Sequence, residues 1–359
     1  MELKIREFKI RELKIRELKI RELKKRRELK NTEFTLNSYV DKVYVINMDA
    51  DTDRLESVTK ELDKVHTKFT RIPGIVADKG LKSQEGNFFA KYFAPTSAIG
   101  ISEAHRKVWK TVVEKDYSAA LCFEDDIKLI TNISDIFPKA IEELPEDWDM
   151  LYLGCITCCS PDKISLFEEI QEKIKPTLKK YSTHLNTGGL YYGNEAYAIS
   201  NKGAKKLLEQ LDKINWHLDF DITYNTKNLN SFKIDPPVAY QNSDDSFESN
   251  NTSKAPVILN KFAKNISFNN KCDTNFSNFD WIMSISLFRF FSDALTFNLW
   301  SILFFILSFI MPSITPYLFG YLIIDIVYSK FTNLILYLPF VFSITSGYLL
   351  SPFQQTIFQ

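Results

Sequence analysis

From residue 290 to residue 359 the only charged side chains are Asp293, Asp325 and Lys330. A soluble domain keeps about a quarter of its residues charged, so a run this long and this apolar restricts what the chain can become. Three stretches stand out: "LTFNLWSILFFILSFIM" (295–311), "ITPYLFGYLIIDIVY" (314–328) and "FTNLILYLPFVFSITSGYLL" (331–350). Each approaches the roughly 20 apolar residues that a bilayer crossing requires. The region 281–359 therefore reads as a helical, membrane-anchoring part with two or three embedded segments. Asp325 is expensive in lipid and is expected to face another helix or the interface. A transporter or channel is disfavoured, because the intramembrane charges are few and no repeat runs through the hydrophobic zone.

The other end of the chain is the opposite. Residues 1–33 hold a five-residue repeat, "KIREFKIRELKIRELKIREL", whose apolar positions scatter around a helix and give it no single buried face. Residues 1–30 carry 13 Lys and Arg against 6 Glu, a net of +7, so with an overall charge of zero the rest of the chain is −7. A charge every second or third residue excludes a signal peptide's apolar core. The mildly acidic body gives no reason to expect nucleic acid as a partner. Five cysteines, Cys122, Cys155, Cys158, Cys159 and Cys272, are an odd set with two adjacent, which reads as reduced thiols in a cytosolic setting. The "CITCCS" cysteines read as structural, and the four scattered histidines offer no zinc-finger spacing.

Between these ends, residues 39–270 look globular. "VYVIN" (43–47) is an apolar strand, and "RLESVTKELDKV" places Leu55, Val58, Leu62 and Val65 at helical spacing. "KFTRIPGIV" is a second strand, "SEAHRKVWKTVVEK" a helix, "DWDMLYLG" a strand, and "GNEAYAISNKGAKKLLEQL" strand, turn, helix. Strands alternating with helices point to an α/β domain with a largely parallel sheet. Ligands gather at the carboxyl ends of such strands.

One strand ends unusually. "LCFEDDIKL" runs from a buried apolar core straight into Glu124, Asp125 and Asp126. Three adjacent carboxylates repel one another and resist burial, unless a divalent cation supplies the missing charge. Two carboxylates plus a diphosphate are a usual cation shell. A metal there stabilises the charge that builds on a departing nucleoside diphosphate, which suits glycosyl or phosphoryl transfer. No Gly-x-x-x-x-Gly-Lys-Ser/Thr loop is present to favour phosphoryl transfer from ATP. An ordinary surface emergence of the strand is the rival reading of the triplet.

Taken together, "VYVINMDADTDR", "FTRIPGIVADKG", "IGISEAHRKVW", "AALCFEDDIKL", "DWDMLYLG", "NEAYAISNKGAKKLL" and "LDFDI" resemble glycosyltransferase family 25 over about residues 40–245. The family includes bacterial lipooligosaccharide galactosyltransferases and collagen hydroxylysine galactosyltransferases. The resemblance implies a GT-A fold, an α/β sandwich that binds a nucleotide sugar, with a Mn²⁺-dependent inverting mechanism and a UDP-galactose donor. It implies a DXD-like motif at Glu124, Asp125 and Asp126, with Glu124 and Asp126 on the metal. Asn47, Asp53, Arg54, His105, Glu124 and Asp125 fall at the donor and cation site, and Asp219 matches the family's apolar-Asp-x-x-apolar motif, with Asp221 beside it. The family's other motif positions match Val45, Ile46, Ile99, Gly100, Leu218 and Ile222. The chain departs from the family pattern at Ala50, Ala98, Ile101 and Ala104.

Each residue also has a plainer reading. Asp53 is a natural helix N-cap. Arg54, at a strand-to-helix junction, suits a diphosphate but could pair with a surface carboxylate. His105, beside Trp109, could be a satisfied core histidine. An inverting transfer needs a base for the acceptor's proton, and Asp219 ranks ahead of Asp221 by its motif match, with the choice open. The expected function is hexosyl transfer from a UDP-sugar to a glycan or protein-linked hydroxyl, and the alternative is an inactive, membrane-attached glycan-binding or scaffolding protein. Lys261, Lys264, Lys271 and Arg289 precede the apolar zone and Lys330 lies within it, which places the catalytic domain on the cytosolic face. The Asn-x-Ser/Thr sequons at Asn132, Asn250, Asn251, Asn265 and Asn275 pull the other way.

Overall fold

The computed structural model describes residues 34–154, 179–188, 193–241, 253, 255–263, 283–290, 295–331 and 333–353. The N-terminal repeat, Cys155, Cys158, Cys159, Cys272, Lys264, Lys271 and the sequons at Asn250, Asn251, Asn265 and Asn275 lie outside these residues. The strands begin with β1 (Lys42–Asn47), β2 (Thr70–Pro73), β3 (Ala119–Glu124), β4 (Ile127–Leu129), β5 (Met150–Gly154) and β6 (Lys179–Lys180). They continue with β7 (Leu185–Thr187), β8 (Ala196–Ser200), β9 (Ser231–Ile234) and β10 (Ala239–Gln241). The helices over the same stretch are α1 (Thr52–Asp63), α2 (Lys79–Glu85), α3 (Phe88–Phe93), α4 (Thr96–Glu114), α5 (Ile133–Glu143), α6 (Asn201–Gln210) and α7 (Leu218–Asn225). The chain divides into two compact units, one of Met1–Ile75, Glu103–Asp212 and Asp219–Asn242, the other of Val76–Ser102, Lys213–Leu218 and Ser243–Gln359.

The first unit is a mixed α/β structure around an eight-stranded sheet of order β2-β1-β3-β8-β5-β9-β7-β6. β1 pairs in parallel with β2 and β3, and β5 with β9. β8 runs antiparallel to both β3 and β5, which corrects the expectation of a largely parallel sheet. The sequence could not reveal that direction: every residue of β8 is buried, and a strand covered on both faces shows no alternation to orient it. Phe123, Leu121, Val43, Val45, Ala198 and Leu151 join Val58 and Leu62 of α1 and Phe137 of α5 in one apolar core. Ser200 ends β8 and caps α6 at once, its Oγ accepting from Gly203 N at 3.0 Å, so no turn separates strand from helix.

Gly154 closes β5 where the register against β8 shifts. A Cβ there would lie 1.8 Å from the carbonyl oxygen of Ala239, a backbone atom held in place by its own strand. Gly154→Ala should therefore cost about 3 kcal/mol in urea unfolding, whereas Gly320→Ala, with open space at its Cβ, should be neutral or slightly stabilising.

The second unit contains α8 (Val257–Ala263), a short hairpin of β11 (Phe288–Phe290) and β12 (Leu295–Phe297), and α9 (Leu299–Ile310), α10 (Thr315–Tyr328) and α11 (Leu338–Leu350). Trp300, Phe304, Leu318, Leu322, Phe340 and Ile344 form its core. The helices are shorter than the apolar stretches that contain them. Asn298 caps α9 with a capping box and Pro312 ends its path, so the first stretch yields 12 helical residues and the second 14. Only Leu334–Phe353, a 20-residue helical run, is long and apolar enough to cross a membrane by itself among the described residues. Asp325 is buried, with partners on its own helix, on α8 and at Tyr337. Its carboxylate accepts from Val257 N (2.8 Å), Ile258 N (2.7 Å), Tyr321 Oη (2.9 Å) and Tyr337 Oη (2.7 Å).

Candidate active site

β1 and β3 lie side by side in parallel, with Ile46 opposite Glu124, so their carboxyl ends deliver Asn47 and the acidic triplet to one place. β8, being antiparallel, brings its amino end to the same edge, and Glu124 N donates to Glu195 O at 2.8 Å. The buried Asn194 and Glu195 thus join a site that a parallel reading of the sheet would have put at the opposite end. They are the residues that sequence reasoning missed. The available signal is the pair Asn194-Glu195 directly before the apolar run Ala196–Ile199 in "NEAYAIS".

Asp125 and Asp126 are both buried and share one cation. Arg54, from the first turn of α1, places Nε 3.0 Å from Asp125 Oδ1 and bonds Asp126 Oδ2 through Nη2. Asn47 Nδ2 donates to Asp125 Oδ2 at 2.7 Å, and Gln241 Nε2 donates to Asp126 Oδ2 at 2.7 Å. Asn47 is itself fixed by Arg71, whose Nε reaches its Oδ1 at 2.8 Å. Burial raises the Asp126 carboxyl to about 7; Arg54 opposes that rise, while the charges of Glu124 and Asp125 add to it. Asp125 is raised for the same first cause, with Arg54 and the Asn47 bond pulling it back.

Asp53 does not join this group. It is exposed in the first turn of α1, and the acid whose charge reaches Arg54 and Asp125 is Asp51, the residue at the N-cap position.

His105 is fully buried on α4. Its Nδ1 lies 2.9 Å from Tyr197 Oη, which also accepts from Trp109 Nε1 at 2.9 Å, and its Nε2 lies 3.4 Å from Glu124 Oε1. Burial works against the imidazolium, but Cys122 and Glu124 outweigh it and bring the group up to about 10. His105 therefore lies against the acidic triplet at Glu124. Cys122 is a free, buried thiol 3.8 Å from its ring.

Asp219 opens α7, where a carboxylate is favoured by the helix dipole. Asn194 Nδ2 donates to its Oδ1, and the Gly193 backbone donates as well. Burial, followed by the charge of Glu124, lifts it to about 7. Asp221, two residues on, is buried and accepts from Asn225 Nδ2 at 2.8 Å, one turn along the same helix. Glu195 is raised well above the ordinary carboxylate range by burial and then by Glu124, Asp219 and Asp126.

The carboxyl groups of Glu124, Asp125, Asp126, Glu195 and Asp219 thus gather around Arg54, with the His105 ring beside Glu124. Among the described residues no three His, Cys, Asp or Glu side chains are spaced to hold a metal ion by themselves. Two features nevertheless fit a divalent cation whose remaining ligands come from a diphosphate. Asp126 Oδ1 and Glu195 Oε2 are buried without a hydrogen-bond partner, and Glu124 keeps 27% of its side chain exposed.

Fold and site together define an α/β protein with a buried, carboxyl-rich centre at the carboxyl ends of adjacent parallel strands. The chain belongs to glycosyltransferase family 25: the family described as glycosyltransferase family 25 (LPS biosynthesis protein) matches residues 40–223, from β1 into α7. It is similar to the inactive glycosyltransferase 25 family member 3 of Homo sapiens, 26% identical over 113 residues, which is 31% of this chain and 17% of the relative. It is also similar to procollagen galactosyltransferase 1-A of Xenopus laevis, 24% identical over 182 residues, 47% of this chain and 28% of the relative. The chain spans less than a third of the length of these curated relatives. Among solved structures, A197 from STIV matches with a TM-score of 0.30 and 12% identity, over 58% of this chain and 86% of that one. Mouse xyloside xylosyltransferase 1 matches with a TM-score of 0.24 and 14% identity, over 50% of this chain and 67% of that one.

Proposed function

We propose that the chain is a divalent-cation-dependent, inverting glycosyltransferase with a GT-A-type domain, moving a hexose from a UDP-sugar to a hydroxyl on a glycan or protein. The observation that carries this reading is the convergence of Asp126, Glu124 and Asp219 with Arg54 at one edge of the sheet. Galactose is the favoured hexose, supported by the procollagen galactosyltransferases among the relatives.

In this reading Glu124 and Asp126 hold the cation, Mn²⁺. When bound, that ion neutralises the charge developing on the departing UDP. Arg54 adds a guanidinium beside the same carboxylates, a donor geometry matched to phosphate oxygens. Asn47 fixes Asp125, so the triplet is oriented before any ligand arrives. Asp219, with a carboxyl near 7, is ionised in part at neutral pH and takes the acceptor hydroxyl's proton as its oxygen attacks the sugar. Asp221 holds the helix turn that presents it. His105, kept cationic, orients Glu124 from the core.

A second reading has its own support: the human relative is named inactive, and Arg54 already pairs with both Asp125 and Asp126. Calorimetry with UDP in the presence of Mn²⁺ separates the two. A transferase should bind UDP with Mn²⁺ and weakly without it, whereas a scaffold that has lost the donor site should bind neither.

The C-terminal segments attach this domain to a membrane, with the catalytic unit on the cytosolic side, as the basic residues Lys261, Lys264, Lys271 and Arg289 before the apolar zone suggest. Expression in a eukaryotic cell followed by endoglycosidase should leave mobility unchanged. A shift from glycans at the sequons, among them Asn132, would put the domain in the lumen and reverse this orientation.

A further inference from the structure

The three C-terminal helices are apolar on their outer faces as well as in their core. Their polar side chains Ser301, Ser308, Thr315, Asp325 and Ser343 are buried, while Ile306, Ile310, Ile323, Ile324, Phe342 and Leu349 are exposed. A helix packed in water keeps its outer face polar, and one that is apolar all round is buried or lies in a membrane. The outward apolar residues occupy all three helices rather than one patch, so a surrounding hydrocarbon accounts for them where a single docked protein does not.

The packing agrees. A Cβ added at Gly347 would come 2.4 Å from Phe305 O and 3.0 Å from Ser308 Cβ, so α9 and α11 touch through small residues. Helices associate this way in lipid, where burying apolar side chains gives no driving force.

Length then decides how far they go. At about 1.5 Å per residue, α9 and α10 measure about 18 and 21 Å, against about 30 Å of hydrocarbon. Between α9 and the Pro312–Tyr328 segment the chain bends by 117°. The two ends of this pair also differ in chemistry. At the end of α10, Lys330 is exposed, and Lys261 Nζ bonds Tyr328 Oη at 2.9 Å while lying 4.9 Å above the same ring. Lysine and tyrosine in that arrangement suit the headgroup level. The turn itself, Met311–Ile314, has no charge, and Met311 is exposed.

We propose that α9 and α10 form a re-entrant hairpin, which enters one leaflet, turns at Met311–Ser313 within the hydrocarbon, and returns to the face it came from. This rests on the membrane attachment proposed above and adds that neither helix crosses.

The test uses the full chain in vesicles of phosphatidylcholine with a minor fraction of phosphatidylglycerol. A nitroxide is placed at S313C or K330C, with the cysteines other than buried Cys122 replaced by serine. The ratio of collisions with dissolved oxygen to collisions with an aqueous nickel chelate should be about tenfold higher at S313C than at K330C. Nickel access at S313C as high as at K330C would place the turn in water and overturn the hairpin, while flotation with the vesicles would still uphold attachment. Failure to float with the vesicles would overturn the attachment itself.

Discussion

Asp126→Ala should abolish sugar transfer while leaving the fold intact. Asp126 is the most deeply buried carboxylate of the triplet, it offers an unpartnered Oδ1, and it is one of two side chains assigned to the cation. Losing that charge stabilisation is expected to raise the barrier by about 4 kcal/mol or more, roughly a thousandfold in rate. Stability should not suffer, because Arg54 keeps Asp125 as a partner and the buried charge of Asp126 is itself unfavourable. The native carboxyl holds its proton up to about 7, whereas the unfolded chain releases it near 3.8. Between those values the native state binds more protons, so wild-type stability falls as pH rises through this window. Asp126→Ala should flatten part of that fall. Transfer that survives both this substitution and a chelator would remove the metal from the account.

Asp219→Asn should lower turnover by about 10²- to 10⁴-fold, with UDP affinity nearly unchanged, because the base acts on the acceptor's proton. Since Asp219 is also raised to about 7 by burial, wild-type kcat/KM should increase as pH climbs through that region, and the variant should lose this limb. The amide can keep one oxygen toward Asn194 and Gly193, so thermal stability above pH 7 should hold or rise. Asp221→Asn serves as the comparison: its carboxylate bonds Asn225 on its own helix, and its loss should cost stability before it costs chemistry. Equal loss of UDP binding in both variants would place these acids in the donor pocket or the core.

Much of this site was legible because it depends on local order along the chain. An apolar strand followed at once by Glu124, Asp125 and Asp126, and another followed by Asn47 and Arg54, put these groups at strand ends whatever the rest of the fold does. The structure brings Asn47, Arg54, Asp125 and Asp126 into direct contact. What could not be read was direction and phase. β8 reverses, and only that reversal brings Asn194 and Glu195 to the acidic edge. The start of α1 decides whether Asp51 or Asp53 turns toward Arg54, a matter of two residues that helix propensity does not resolve. The sequence leaves His105 open between core and site, and the structure places it in the core with Nε2 3.4 Å from Glu124 Oε1. In the second unit, apolar length overstated helix length because Asn298 and Pro312 cut the first stretch at both ends.

The most direct measurement is UDP release from UDP-galactose by the full chain, followed with Mn²⁺, with EDTA, and with Asp126→Ala. The account predicts release in Mn²⁺ that stops with the chelator and with the substitution. Release that ignores both, or a chain that neither binds UDP nor turns over the donor in Mn²⁺, would contradict it.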